Sequence, residues 1–64
     1  MELAEARKKA RYTQEQVAGL LGISRPTYAK MESCPGIVTI DEARKLAEIF
    51  DVEVAEIFFS DNDS

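Results

Sequence analysis

The strongest constraint on the fold is a helix stop followed two residues later by a helix start. Residues 19–25 read Gly-Leu-Leu-Gly-Ile-Ser-Arg. Before this point, Thr13-x-x-Gln16 forms a capping box that opens a helix, with Val17, Ala18 and Leu21 on its inner face. Gly22 ends that helix, because glycine enters the left-handed stop conformation without a steric penalty. Ser24 caps the next helix, expected over about Arg25–Ser33, and Pro26 falls in its first turn, where a missing amide proton does little harm. Tyr28 and Met31 are its inward residues. A connection this short turns the two helices sharply against each other and lets the second project from the body.

The remaining segments support a wholly helical domain. A first helix is expected over about Glu2–Ala10, with Leu3, Ala6 and Ala10 on one face and the basic run Arg7–Lys9 mostly facing away. Pro35-Gly36 marks a turn within the loop Cys34–Val38. Thr39-x-x-Glu42 is a second capping box. It opens a helix whose inner residues are expected to be Ile40, Ala43, Leu46, Ala47 and Phe50, with Asp51 at the stop. A short last helix covers roughly Val54–Phe59, with Val54, Ile57 and Phe58 apolar. The expected fold class is therefore all-α: a compact five-helix domain over residues 1–59 containing a helix-turn-helix, followed by a polar, frayed tail at 60–64.

Size and composition narrow the chemistry. A chain of 64 residues supports one small core and no deep catalytic cleft. Histidine is absent and Cys34 is the single cysteine, so intrachain disulfides, ordinary zinc sites and histidine-based triads are excluded. The acids have no pocket and no nucleophile–base pair is present, so the expectation is a non-enzyme without cofactor, metal or small-molecule ligand. With no secretory signal and no long apolar run, cytoplasmic location is expected, with no membrane partner. The formal charge is −4, which taken alone argues against nucleic acid. Yet residues 1–30 hold six basic and three acidic side chains, and residues 31–64 hold two basic and nine acidic ones. The molecule is polarised, and where the basic face points matters more than the sum.

Several of these residues together resemble the Cro/C1-type, phage repressor-like (XRE) family of helix-turn-helix DNA-binding domains. They are Thr13-Gln14, Val17-Ala18, Gly22-Ile23-Ser24, Tyr28, Met31 and Glu32, with the family's spacing from Gln14 to Ala18 to Gly22. Leu46–Val52 is similar to the family's fourth helix and its stop, and Val54–Phe58 to its fifth, so the likeness covers about residues 3–58. The chain departs from the pattern at Asp51, where glycine is usual, at Glu53, where a Ser or Asp cap is usual, and at Cys34. Its loop after the third helix is apolar (Ile37, Val38) instead of basic.

The resemblance implies a repressor-like regulator that reads an operator in double-stranded DNA with its third helix in the major groove. The residues implied to read bases are Arg25, Pro26, Thr27 and Lys30. Arg25 suits a guanine, Pro26 a thymine methyl, Thr27 a base or a phosphate, and Lys30 a guanine or a phosphate. Gln14, at the start of the second helix, is implied to contact phosphate, where free amides and the helix dipole favour an anion. Lys9 and Arg11 are candidates for non-specific phosphate contacts, and the alternative for this run is a solvated charged face. Arg7 and Glu32 match a charged pair tying the first helix to the end of the third.

Ile37, Val38, Val54, Phe58 and Phe59 offer more apolar surface than so small a chain easily hides. They are the expected interface of a homodimer, weak in the absence of DNA, on an inverted-repeat operator. The rival readings are a protein-interaction module or antitoxin of the same fold, with the acidic half docking a basic partner, and a purely structural helical bundle. Neither rival needs Gln14 together with the basic face of Arg25 and Lys30.

Overall fold

A computed structural model describes residues 1–58. Five α-helices follow one another: α1 (Leu3–Lys9), α2 (Gln14–Leu21), α3 (Arg25–Ser33), α4 (Ile40–Phe50) and α5 (Val54–Phe58), with one 3-10 turn, Pro35–Ile37, between α3 and α4. No strand occurs among the described residues. The first helix is one residue shorter at each end than the sequence suggests. Phe59 and the tail expected at 60–64 lie outside the described residues.

Both capping boxes are formed. Thr13 Oγ1 accepts from the Gln16 amide at 3.0 Å, and Gln16 Oε1 accepts from the Thr13 amide at 2.9 Å. Thr39 and Glu42 exchange the same pair of bonds at 3.1 and 2.9 Å. Each box satisfies two amide protons that have no partner inside the helix. At α5, where no Ser or Asp cap is present, the Glu56 carboxylate turns back to accept from the Glu53 amide at 2.9 Å.

Three of the helices end alike. α1, α2 and α4 each stop on a left-handed residue: Arg11 (φ 67°), Gly22 (φ 74°) and Asp51 (φ 57°). At each stop two amides fold back onto the last carbonyls. Gly22 N–H donates to Gly19 O at 3.2 Å and Ile23 N–H to Ala18 O at 3.0 Å, and the pairs Arg11/Tyr12 and Asp51/Val52 repeat the pattern. Glycine takes this conformation without penalty and aspartate tolerates it, whereas a long side chain such as arginine pays about 1 kcal/mol or more.

The core forms where the helices converge. Leu3 and Ala6 from α1, Val17 and Ala18 from α2, Tyr28 and Met31 from α3, Leu46 and Phe50 from α4, and Ile57 from α5 are all buried together. Ala18 on α2 is buried in this core, and α2 packs against α3. Tyr12 packs its ring on Phe50, centroids 6.0 Å apart and tilted at 47°.

One core expectation fails. Ile40 is 72% exposed. It shares the face of Ala43 and Ala47, but it stands at the first position of α4, where the side chain is left in solvent. It borders an apolar groove of about 670 Å³ between the Pro35–Ile37 turn, α4 and α5. Leu21, expected on the inner face of α2, is only half-buried.

Candidate nucleic-acid interface

The turn at Gly22–Ser24 sets the interface. Once Gly22 reverses the chain, Ser24 starts α3 immediately: its Oγ accepts from the Thr27 amide at 3.3 Å and lies 2.8 Å from Thr27 Oγ1. Tyr28 and Met31 are buried on the inner side of α3. The helical period then leaves Arg25, Pro26, Thr27 and Lys30 outside, and all four are exposed. Two cations therefore stand on an outward helical face with no ion pair to an acid of the chain among the described residues. Thr27 is less free, because its hydroxyl is engaged with Ser24.

The starts of α2 and α3 lie side by side. Thr13, Gln14, Glu15, Arg25, Arg7 and Tyr12 line one open depression of about 490 Å³. It is bordered by Arg25 and by the first turn of α2, whose free amides attract an anion. Glu15 lies on the same rim and opposes such an anion. Lys9 and Arg11 are exposed at the end of α1 and in the turn that follows.

Behind this surface a polar network joins three helices. Arg7 Nε on α1 donates to Glu32 Oε2 on α3 at 2.7 Å, and Arg7 Nη2 reaches Glu32 Oε1 at 3.5 Å. Arg7 Nη1 donates to the Tyr12 carbonyl at 2.9 Å, which ties down the α1–α2 turn. Only 11% and 8% of the two side chains are exposed. The bond to Glu32 raises the Arg7 guanidinium further above its ordinary value. Burial pushes the Glu32 carboxyl up, but the hydrogen bond from Arg7, the neighbouring Tyr28 hydroxyl, the hydrogen bond from Gln14 and the charge of Arg7 outweigh it and hold the group below its ordinary value. Tyr28 is fully buried beside this pair, and its hydroxyl has no hydrogen-bond partner among the described residues. Burial, and then the adjacent carboxylate, hold its phenol well above the ordinary range.

The Gln14 side chain belongs to this network. Its Nε2 donates to Glu32 Oε1 at 2.9 Å. The sequence marks Gln14 as a phosphate contact and Glu32 as the partner of Arg7, but gives no sign that the two touch. They are 18 positions apart, and only the sharp turn brings them together.

The family of helix-turn-helix domains matches residues 3–57. The chain belongs to the helix-turn-helix family, of the Cro/C1 type. An HTH-type transcriptional regulatory protein of Pyrococcus furiosus is 43% identical over 49 residues, covering 77% of this chain and 16% of that protein. A cryptic-phage transcriptional repressor of Vibrio cholerae is 36% identical over 55 residues, covering 86% of this chain and 49% of that protein. The helix-turn-helix chain thus spans about half the length of one relative and about a sixth of the other. No solved structure matches it.

The far side of the helix-turn-helix domain differs. Val38 and Phe58 are half-buried against the core and Val54 is half-buried, while Ile37 is 49% exposed. Next to this apolar groove is an acidic one, lined by Glu48, Asp51, Glu53 and Glu56 with Arg44 and Val54. Cys34 is exposed at the end of α3. Among the described residues, no helix is long and apolar enough to cross a membrane, and no group of side chains is placed to hold a metal ion.

Proposed function

We propose that the chain is the sequence-specific DNA-binding part of a transcriptional regulator with repressor-like action in the cytoplasm. In this reading α3 enters the major groove of double-stranded DNA. Arg25, Pro26, Thr27 and Lys30 face base edges, while Gln14, Lys9 and Arg11 face phosphates. The observation that carries it is the α3 face, where Arg25 and Lys30 are exposed without an acid partner among the described residues and Arg25 shares a depression with the amide-bearing start of α2. The names of the two relatives, a transcriptional regulatory protein and a transcriptional repressor, point the same way.

A single recognition helix offers about four reading side chains, less than specific sites usually demand. The proposal therefore includes a two-fold homodimer on an inverted repeat, with the recognition helices about 34 Å apart. Ile37, Val38, Val54, Phe58 and Phe59 would form the contact, and the exposed Ile40 extends it. With the acids of α4 and α5 beside this contact and away from α3, a chain of net charge −4 still presents a basic face to DNA.

Selection of bound sites from random duplex DNA tests the proposal. The expected products are inverted repeats whose recovery falls steeply with salt, log affinity losing about 0.9 per neutralised phosphate per unit of log salt. Recovery of no preferred sequence, with binding indifferent to salt, would instead favour a protein-interaction module. The carboxylate-lined groove of α4 and α5 is the surface such a module would use.

A further inference from the structure

We infer that Glu32 is a positioning residue for DNA, holding the Gln14 carboxamide so that its second N–H and the free amides at the start of α2 present one fixed phosphate-binding edge. The inference rests on the proposed reading of α2 as a phosphate contact. It adds a residue that touches no DNA itself.

The geometry supports this in three steps. A primary carboxamide carries two N–H donors. One donor of Gln14 is committed to Glu32 Oε1 at 2.9 Å, and the other has no protein partner among the described residues. A glutamine at the first position of a helix otherwise samples several rotamers, and fixing it on binding is costly. Anchoring it in the free protein removes that cost beforehand.

The second step concerns charge. A bare carboxylate this close to a phosphate site would repel DNA. Here Arg7 Nε sits 2.7 Å from the other Glu32 oxygen, so the pair is neutral as a unit. Arg7 thus lets a carboxylate serve as an anchor at an anion-binding edge. The third step concerns rigidity. Arg7 also holds the Tyr12 carbonyl at 2.9 Å, one residue before the Thr13 cap. One guanidinium therefore fixes both the side chain of Gln14, through Glu32, and the backbone from which α2 begins.

A plain structural tie between helices would contain the same bonds, so the test must separate stability from affinity. The probe is a short duplex selected from a random pool. Affinity is read by fluorescence anisotropy at a temperature where circular dichroism shows each variant folded. Gln14→Ala and Glu32→Gln should each weaken binding about fivefold, the scale of one hydrogen bond. The double variant should bind no worse than Gln14→Ala alone, because both changes remove the same contact. Glu32→Asp guards against a variant that fails to fold. It keeps the charge beside Arg7 but withdraws the oxygen from Gln14, so it should lose affinity while keeping most of its melting temperature.

Wild-type affinity in Glu32→Gln and Glu32→Asp, or strictly additive losses in the double variant, would overturn the inference and leave the DNA-binding reading standing. A wild-type protein that binds no duplex in the pool would overturn both.

Discussion

Helices α2 and α4 are built by the same local rules and end in different surroundings. Each opens on a threonine capping box, Thr13/Gln16 and Thr39/Glu42, and each closes on a left-handed residue, Gly22 and Asp51. Yet α2 runs into a helix whose outer face carries Arg25 and Lys30, cross-linked from behind by Arg7, Glu32 and Gln14. α4 runs into a short helix flanked by Glu48, Asp51, Glu53 and Glu56, with an apolar groove left open. Caps and stops decide where helices begin and end. Charge placement and side-chain cross-links decide what their faces can do.

The largest expected effect sharpens this contrast at the cross-link. Glu32→Ala leaves the Arg7 guanidinium nearly buried without its partner and should cost about 3 kcal/mol in chemical denaturation. Glu48→Ala, at an exposed position of α4, should stay within about 0.5 kcal/mol. The same pair sets a pH dependence. The Glu32 pKa is lower in the folded chain than in the unfolded one, whose ordinary value is about 4.3. The unfolded chain therefore binds more protons between the two values. The stabilisation is complete above about pH 5 and is lost as the pH falls through the folded-state pKa. Glu32→Gln should flatten that part of the stability profile, and a profile unchanged by it would remove Glu32 from the account.

The next effect is on recognition. Arg25→Ala should weaken binding to a selected site by about 1–3 kcal/mol and relax preference at one base pair. Lys45→Ala, on the exposed side of α4, should leave affinity nearly unchanged. Equal losses from the two would mean that the charged halves are not functionally distinct.

A smaller effect compares the left-handed stops. Arg11→Gly relieves a backbone penalty and should stabilise the fold by about 1 kcal/mol in thermal denaturation. Gly22→Ala should lose a similar amount. No atom lies within 4 Å of the Cβ it would add, so the cost is that of the backbone alone. If Arg11→Gly also weakens DNA binding, the side chain earns its strained position by function.

The smallest effect is at the open groove. Ile40→Ser should change monomer stability by less than about 0.5 kcal/mol, because the side chain is already in water. Ile57→Ala, in the core of the same half, should cost about 2–4 kcal/mol. A large loss from Ile40→Ser would mean that the side chain is covered in solution.

What the sequence reveals and what it hides follows the same division. The helices were legible because their signals are local: Thr13 and Gln16 are three apart, Gly22 is a glycine, and Val17, Ala18, Tyr28 and Met31 keep helical period. The stop at Arg11 was not legible, since arginine carries no mark of left-handed backbone. Ile40 has the correct period for the core, but burial depends on neighbours from other elements, and those around the start of α4 leave a groove open. The exposed face of α3 could be placed because it is simply the remainder of the helix once its inward residues are known. The bond from Gln14 to Glu32 could not, because it joins two helices whose mutual angle no local pattern specifies.

The most direct test of the central claim, that the α2–α3 face is the DNA-binding surface, is a backbone amide NMR titration of the protein with a selected duplex. The account predicts the largest shifts from Thr13 to Gln16 and from Ser24 to Lys30, with smaller ones at Lys9 and Arg11. Outside the apolar groove where a second copy would sit, it predicts none along the acidic edge of α4 and α5. Shifts centred on Glu48, Asp51 and Glu53 instead, with α3 silent, would contradict it.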